Sequence, residues 1–342
     1  MSPVPNPALP LAVSMGDPAG VGPELAVAAW ALSGADNLPP FMVVGSKRVI
    51  EKAARQRGLH ARVTAVTTPQ EALEAFDKAL PVLDIGEGDY TPGKPDAAGA
   101  TLALRSLEMA TGLVRGGAAA ALVTAPIAKS RLAEVGFDFP GQTEFVAEAC
   151  GISATKAVMM LAGPNLRVIP ITVHVALASV PGLLTSELIR SRAAIAAAAL
   201  RRDFGIAAPR LAVAGLNPHA GEDGRMGHEE QTIIAPAIAA LNAAGIATTG
   251  PLPADTMFHA HARQAYDLAV CMYHDQALIP LKVLDFDEGV NVTLGLPIVR
   301  TSPDHGTAFG IAGTGAARSG ATVAAIRMAG QCAARRAAAA AE

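Results

Sequence analysis

Short apolar runs alternate with helix-like stretches along almost the whole chain. The run Phe-Met-Val-Val-Gly at residues 41–45, for example, is followed by a stretch typical of a helix at 46–57. Strands that alternate with helices are typical of a mostly parallel β-sheet covered by helices. The other predicted strands are residues 11–15, 62–66, 82–85, 119–124, 157–161, 168–173, 211–215 and 268–273, and the other predicted helices are 97–115, 185–203, 229–244 and 316–340. The sequence therefore predicts an α/β fold.

Composition excludes several classes of protein. The 342 residues suffice for two domains, and a hydrophobic content of 51% excludes disorder. Three cysteines are too few for a disulfide-stabilised scaffold of this length. The first residues lack the apolar core of a secretion signal, and no uninterrupted apolar run of about 18 residues suggests a membrane span. With 27 Lys and Arg against 30 Asp and Glu, nothing suggests nucleic-acid binding. We expect a cytoplasmic protein that binds neither membranes nor nucleic acid.

A glycine-rich segment follows the first predicted strand. The spacing of Gly16, Gly20 and Gly22 does not match the dinucleotide fingerprint, and no Gly-Lys-Ser/Thr follows as in a P-loop. The segment is either a loop that approaches a ligand or a tight strand-to-helix turn, and the spacing favours the turn. Asp17 lies in this segment and is a weak candidate site residue, because its carboxylate could equally cap the turn.

Three of the eight histidines lie at or just past the ends of predicted strands, namely His174, His219 and His274. Open α/β sheets bind ligands outside the carboxyl ends of their strands, so we expect these imidazoles at one edge of the molecule. Three histidines with an open fourth position form a catalytic metal site, for which zinc is the usual ion. Their wide spacing matches no short metal motif, and three unrelated polar residues remain the alternative.

Two carboxylates accompany this pattern as weaker candidates. Asp275 directly follows His274 and could orient the imidazole as a hydrogen-bond acceptor, or could cap the next helix. Asp255 lies in the polar segment Pro-Ala-Asp-Thr.

Polar and cationic residues form the last set of candidates. Lys282, Asn291 and Arg300 would suit a phosphate or carboxylate, although solvated surface charge is the commoner role of Lys and Arg. Thr143 lies in Gly-Gln-Thr-Glu, which as a helix N-terminus would offer N–H groups and a hydroxyl to an anion. A plain helix cap is the alternative for that segment.

Taken together, these segments resemble the 4-hydroxythreonine-4-phosphate dehydrogenase family of vitamin B6 biosynthesis. The resemblance extends from about residue 9 to about residue 317. Its motifs are MGDPAGVGPE at 15–24, TAPIAK at 124–129, GQTEF at 141–145, TVH at 172–174, GLNPHAGE at 215–222, PADT at 253–256, YHDQ at 273–276 and RTSPDHGT at 300–307.

The resemblance implies a fold like that of isocitrate and isopropylmalate dehydrogenases, with two α/β domains and the active site in the cleft between them. The first domain would comprise residues 1–135 and about 300–342. The second, about 136–299, would carry the metal-ligand histidines and the dimer interface. The resemblance further implies a homodimer whose metal site is completed across the subunit interface.

The family's functional residues can be transferred onto matching positions. The resemblance places a divalent metal (Zn²⁺, Mg²⁺ or Co²⁺) on His174, His219 and His274. It places substrate contacts on five residues, which are Gln142, Thr143, Lys282, Asn291 and Arg300. The cofactor would be NAD or NADP, bound without the dinucleotide fingerprint. No residue is assigned as the general base.

The implied reaction oxidises 4-hydroxy-L-threonine 4-phosphate to 2-amino-3-oxo-4-phosphooxybutanoate, which decarboxylates to 3-amino-2-oxopropyl phosphate. One departure matters, because Gln142 stands where the family usually has a histidine that contacts the substrate. Gln keeps hydrogen-bonding groups but cannot titrate. Paralogues act on threonate or erythronate 4-phosphate or on cyclic dihydrodiol carboxylates, and a phosphate acyltransferase of related fold is a more remote alternative. Lys282, Asn291 and Arg300 favour a phosphorylated substrate.

Overall fold

The computed structural model describes residues 8–341. Its strands are β1 Leu11–Ser14, β2 Phe41–Gly45, β3 Val63–Val66, β4 Leu80–Asp84, β5 Leu122–Thr124, β6 Val158–Ala162, β7 Arg167–Pro170, β8 Leu211–Ala214, β9 Thr248–Leu252, β10 Leu268–Cys271, β11 Val290–Leu294 and β12 Arg300–Pro303. Its α-helices are α1 Gly22–Ala31, α2 Ser33–Asp36, α3 Lys47–Gln56, α4 Pro69–Ala75, α5 Ala97–Arg115, α6 Lys129–Ala133, α7 Gln142–Ala149, α8 Val180–Leu183, α9 Ser186–Phe204, α10 Ala235–Ala243, α11 Ala254–Met257, α12 His274–Asp285 and α13 Gly320–Ala341. The predicted α/β fold is confirmed.

The chain divides into two compact units. Among the described residues, unit 1 comprises 8–154 and 296–341, and unit 2 comprises Thr155–Gly295. The boundary predicted between the first and second domains lies near residue 135, whereas unit 1 continues through α7. Aromatic packing explains the difference, because the ring of Phe145 on α7 lies 5.8 Å from Phe137 and 5.4 Å from Phe139. These rings pack on a buried cluster that includes Leu107 and Leu132.

Unit 1 contains a parallel sheet in the order β3-β4-β2-β1-β5-β12. All four residues of β1 and all five of β2 are buried. Such continuous apolar strands are expected where helices cover both faces of a parallel sheet. Strand β12, which carries Arg300 as its first residue, was not predicted as a strand from the sequence.

Unit 2 contains strands in the order β11-β6-β7-β10-β8-β9. Strands β7, β10, β8 and β9 run parallel, whereas β6 is antiparallel to both of its neighbours. The sequence did not predict β9 or β11. A buried cluster that includes Val168, Ala212, Ala269 and Leu281 lies between this sheet and α12.

No helix among residues 8–341 is both long enough and apolar enough to cross a membrane.

Candidate functional site

Three adjacent parallel strands of unit 2 deliver the three predicted histidines. Strand β10 pairs in parallel with β7 on one side and with β8 on the other. His174, His219 and His274 follow the carboxyl ends of β7, β8 and β10 respectively. Strand β7 ends at Pro170, earlier than predicted. The chain beyond it stays attached to β10, because the backbone N–H and the hydroxyl of Thr172 both donate to the Met272 carbonyl.

Two of these imidazoles lie close together. The ring centres of His174 and His274 are 5.8 Å apart and their planes are inclined by 43°. Two imidazoles on one tetrahedral zinc, with Zn–N bonds of about 2.0 Å, have ring centres about 5 Å apart. Both rings line a cavity of about 250 Å³ that also includes Thr172 and Tyr273. The pair therefore has nearly the separation that a shared metal ion requires.

His274 is oriented by its neighbour in the sequence. The Nδ1 atom of His274 lies 2.7 Å from Oδ1 of Asp275. Helix α12 is capped by Tyr273, without a side-chain hydrogen bond, so Asp275 does not act as the cap. A carboxylate on Nδ1 fixes the tautomer that leaves the Nε2 lone pair available to a metal. Of the two roles considered for Asp275, the structure has the orienting one.

His219 lies on an unusual loop. Residues 219–223 all have positive φ, and four of these five residues are not glycine. His174 also has a positive φ of 52°. This left-handed conformation is unfavourable for residues with a Cβ, and it persists where the surrounding structure enforces it. Two of the three predicted metal ligands therefore occupy strained backbone positions, of the kind that clusters at functional sites.

Two buried side chains that sequence reasoning missed hold these strand ends in place. Glu230 accepts hydrogen bonds from the backbone N–H groups of Leu216 and Asn217, each at 2.8 Å. Gln276 accepts from the N–H of Met272 and donates to the carbonyl of Gly215. Gln276 thus connects the end of β10 with the end of β8. The contacts of Glu230 with the β8 end and of Gln276 with Gly215 join residues well separated in sequence. In the sequence, only the polar residue after an apolar run pointed to Gln276.

Within a single chain the structure does not assemble the full predicted ligand set. No group of three His, Cys, Asp or Glu side chains among residues 8–341 could hold a metal ion. His174 and His274 come together, and His219 does not join them within the one chain described.

The guanidinium of Arg300 in unit 1 is buried and donates hydrogen bonds to several side chains. Arg300 is 3% exposed. Its Nε and Nη2 atoms donate to the Thr124 hydroxyl at 3.1 and 2.7 Å, and its Nη1 donates to the Thr143 hydroxyl at 3.1 Å. Burial lowers the pKa of Arg300 to about 10, an effect that nearby Glu144 partly opposes. The guanidinium is therefore charged at neutral pH. Its donor nitrogens are held by Thr124 on β5 and by Thr143 at the N-terminus of α7.

Gln142 bridges this guanidinium to the backbone. Its Oε1 accepts from Nη2 of Arg300 at 3.1 Å, and its Nε2 donates to the Ala125 carbonyl at 3.0 Å. A neutral histidine can also donate from one atom and accept at another. Gln142 can therefore perform the orienting task of such a histidine without a group that titrates.

The remaining substrate candidates lie in unit 2. The ammonium of Lys282 lies 5.2 Å from the ring centre of Phe286, within cation–π range. Asn291 is on β11, and its buried Oδ1 has no hydrogen-bond partner among the described residues. A buried amide oxygen of this kind could accept a hydrogen bond from a bound ligand.

The glycine-rich loop is a buried turn, and the two remaining weaker candidates are Asp17 within it and Asp255 on α11. The N–H groups of Asp17 and Val21 donate to the carbonyls of Pro126 and Thr307, and the loop is buried throughout. It is the tight turn that its spacing favoured. Asp17 is fully buried, accepts from the Ala19 N–H, and has a pKa raised by burial. Asp255 is exposed in the first turn of α11.

Comparison with known proteins extends these observations. Residues 37–329 match the family described as "Pyridoxal phosphate biosynthetic protein PdxA". A 4-hydroxythreonine-4-phosphate dehydrogenase from Erythrobacter litoralis is 61% identical over 332 residues, which cover 97% of this chain and 99% of the relative. A crystal structure of 4-hydroxythreonine-4-phosphate dehydrogenase from Klebsiella pneumoniae has a TM-score of 0.84 at 41% identity and covers 95% of this chain and 98% of its own.

A relative named for a different substrate is more distant. The crystal structure of a terephthalate 1,2-cis-dihydrodiol dehydrogenase from Burkholderia xenovorans has a TM-score of 0.64 at 30% identity, covering 94% of this chain and 98% of its own. The extent of the family match and the identity over nearly the full length agree with the resemblance seen in the sequence motifs. The chain belongs to the PdxA family of pyridoxal phosphate biosynthetic proteins.

Proposed function

We propose that this chain oxidises 4-hydroxy-L-threonine 4-phosphate with NAD or NADP to 2-amino-3-oxo-4-phosphooxybutanoate. The substrate loses a hydride and a proton from its secondary alcohol, and the product, a β-keto acid, releases CO₂ to give 3-amino-2-oxopropyl phosphate. The observation that carries the proposal is the buried Arg300–Thr143 fork, in a chain that is 61% identical to a relative with this name.

Arg300 would anchor the substrate phosphate. A guanidinium presents its donors in a rigid fork that matches phosphate oxygens, and a low-dielectric surrounding strengthens each charge-assisted hydrogen bond. Because Thr124 and Gln142 already fix the fork, little side-chain entropy is lost when the phosphate binds. Thr143, at the N-terminus of α7, would add a hydroxyl. We assign Lys282 and Asn291 to substrate contacts as well.

His174, His219 and His274 would hold the divalent metal. The 5.8 Å separation of His174 and His274, together with the carboxylate on Nδ1 of His274, fits a site for Zn²⁺, Co²⁺ or Mg²⁺, of which the all-imidazole donor set favours the first two. When bound, a divalent ion supplies Lewis acidity that favours loss of the alcohol proton. Asp275 would fix the ring orientation of His274.

For the nicotinamide cofactor, the described residues offer no glycine-rich phosphate cradle, because the loop at 16–23 is buried by its own chain. NAD or NADP remains part of the proposal through the family alone, and we assign it no contacts.

We further propose that the enzyme works as a homodimer and that a second copy completes the metal site. Helix α12 supports this, since Ile279 and Val283 in the helix and Phe286 at its C-terminal cap are all at least 60% exposed. Their spacings of four and three residues place them on one side of the helix. Leu177 of the segment after His174 is 66% exposed. Apolar side chains exposed together are typical of a protein interface.

A substrate panel tests the reaction. The purified enzyme is supplied with NAD or NADP and Zn²⁺, Mg²⁺ or Co²⁺, and absorbance of the reduced cofactor is followed for 4-hydroxythreonine 4-phosphate, threonate 4-phosphate, erythronate 4-phosphate and a cyclic dihydrodiol carboxylate. We expect the highest kcat/KM for 4-hydroxythreonine 4-phosphate. Because Gln142 departs from the usual histidine, threonate or erythronate 4-phosphate is the second candidate, and a higher kcat/KM for either would replace the proposal.

His219→Ala tests the metal assignment. We expect the variant to lose both bound metal, measured by elemental analysis after dialysis, and turnover. A His219→Ala protein that is fully active without metal would refute the assignment.

A further inference from the structure

We propose that Glu230 is a positioning residue for His219, whose backbone conformation it fixes for metal binding. The inference rests on the proposed function, because His219 acts as a metal ligand only there. Glu230 was not singled out from the sequence, and it makes no contact with the histidine side chain in the hydrogen bonds of the described residues. Its influence would pass through the loop between β8 and residue 225.

The Glu230 carboxylate is buried and receives its hydrogen bonds from the start of this loop. The residue is 3% exposed. Its Oε1 accepts from the N–H groups of Leu216 and Asn217, both at 2.8 Å, and its Oε2 accepts from Nδ2 of Asn217 at 3.0 Å. Three donors thus converge on one carboxylate, from the residues two and three positions before His219. Such bonds to an ionised group are stronger than neutral ones and geometrically specific.

The far side of the loop also contacts this carboxylate. A Cβ atom placed on Gly221 would lie 2.6 Å from Oε2 of Glu230, and one placed on Gly215 would lie 3.1 Å from Oε1. Gly215 precedes His219 and Gly221 follows it, so the carboxylate lies against the chain on both sides of the histidine. Only glycine allows this close approach at Gly221, where φ is 80°.

The loop that carries His219 needs stabilising contacts because its backbone is strained. His219, Ala220, Glu222 and Asp223 have left-handed φ values between 42° and 56°. An isolated chain of L-residues would leave this conformation, since it brings Cβ close to the following carbonyl oxygen. Contacts from outside the left-handed run have to offset this strain. The three hydrogen bonds from Leu216 and Asn217 to Glu230 fix the chain directly before the run begins.

The helix that follows is irregular at the same place. Residues Glu230–Ile234 form a π-helical turn that leads into α10, and Glu230 is its first residue. Single π turns within helices are frequent at functional sites. The π-helical turn and the buried Glu230 carboxylate therefore both adjoin the left-handed loop that carries His219.

Cobalt binding by the purified full-length protein tests the proposal. Co²⁺ alone is titrated into wild type, Glu230→Ala, Glu230→Gln and Glu229→Gln, and binding is followed by visible absorption. Glu229→Gln is the matched control, because Glu229 is adjacent and accepts from the same Asn217 Nδ2 at 2.8 Å but does not contact the backbone of the loop. Glu230→Gln keeps the shape and one carbonyl oxygen, so it answers the question if Glu230→Ala fails to fold.

We expect Glu230→Ala to weaken cobalt binding about 10- to 100-fold, the usual effect of removing a group that orients a metal ligand. Glu230→Gln should weaken it less, and Glu229→Gln by less than about threefold on the same argument. A changed absorption band in Glu230→Gln would show an altered ligand geometry, which a purely structural role would not produce.

A double-mutant cycle with His219→Ala separates positioning from general support of the fold. Because His174 and His274 remain in His219→Ala, this variant is titrated at high Co²⁺ concentration, so that the weak affinity left after the loss of tightly bound metal is measured. If Glu230 acts through His219, adding Glu230→Gln to His219→Ala causes no further loss of that affinity. Losses that multiply, or a Glu230→Gln protein that binds cobalt as tightly as wild type, would overturn the inference while leaving the proposed function intact. A wild-type protein that binds neither Co²⁺ nor Zn²⁺ would overturn this inference together with the metal assignment on which it rests.

Discussion

The Arg300 region of unit 1 and the histidine region of unit 2 are built in opposite ways. Arg300 is 3% exposed, and its three donor nitrogens hydrogen-bond to Thr124, Gln142 and Thr143. The histidines follow strand ends, His174 and His219 are exposed, and both have left-handed backbones. One region is an internal polar network on relaxed backbone, and the other presents side chains from strained backbone at the surface.

The difference corresponds to the two tasks proposed for these regions. Anion recognition gains from a preorganised fork in a low dielectric, and one chain can build this alone. A metal ion needs accessible lone pairs in a set geometry, and a second copy of the chain can contribute to it only at the surface. Strain at His174 and His219 is then a cost that bound metal and neighbouring contacts such as those of Glu230 can offset.

The largest effect is expected from breaking the buried network. Arg300→Met should lower kcat/KM for the phosphorylated substrate by about 10³-fold or more, because a charged phosphate contact is lost from a buried site. Arg300→Lys should recover only part of the loss, since a point charge cannot reproduce the fork. Steady-state kinetics measure both variants, and a Lys variant equal to wild type would show that charge alone matters.

Asp275→Asn tests the histidine region. Replacing the carboxylate on Nδ1 of His274 should weaken metal binding about 10- to 100-fold, with little change in thermal stability because Asp275 is exposed. Titration with Zn²⁺ against a competing chelator measures the affinity. Unchanged affinity would mean that the hydrogen bond does not orient a ligand.

Gln142 allows a smaller and more specific test. Gln142→Leu leaves Arg300 Nη2 and the Ala125 carbonyl each without one partner, so we expect about a tenfold rise in KM, equivalent to roughly 1–2 kcal/mol. The change should fall mainly on KM, because Gln142 orients the guanidinium. A loss confined to kcat would assign Gln142 to the chemical step instead.

Gln142→His introduces a titrating group at a position where the wild type has none. Arg300, with a pKa of about 10, keeps its charge throughout pH 6–9, so wild-type KM should be flat with respect to Arg300 over that range. An introduced histidine loses its acceptor role when it is protonated beside Arg300, and the cation lowers its pKa below the usual value of about 6.5. KM of the variant should therefore rise as the pH falls toward 5.5, as measured by pH-resolved kinetics.

The smallest effect is expected from Asp255, an exposed aspartate outside both regions that serves as a control for Asp275. Asp255→Asn changes an exposed side chain on α11, so metal affinity and kcat/KM should stay within about twofold of wild type. A large loss of metal affinity or of kcat/KM would show that Asp255 belongs to the functional site, which would then extend beyond the Arg300 and histidine regions.

Sequence alone predicted the features that depend on local pattern. Apolar runs fixed the positions of β7, β8 and β10, and therefore the shared edge at which His174, His219 and His274 emerge. The contacts of Glu230 and Thr124 were not predicted, because each is formed by residues that only tertiary structure brings together. The left-handed run at 219–223 was also missed, since Gly221 is its only glycine and the surrounding contacts override local preference.

The most direct test is oxidation of 4-hydroxythreonine 4-phosphate by enzyme stripped with a chelator, before and after addition of one divalent metal. We expect reduced nicotinamide cofactor only after metal is restored, with kcat/KM about 10³-fold lower for 4-hydroxythreonine without its phosphate. Full turnover by the metal-free enzyme, or equal kcat/KM for the two substrates, would contradict the proposed roles of the metal and of Arg300.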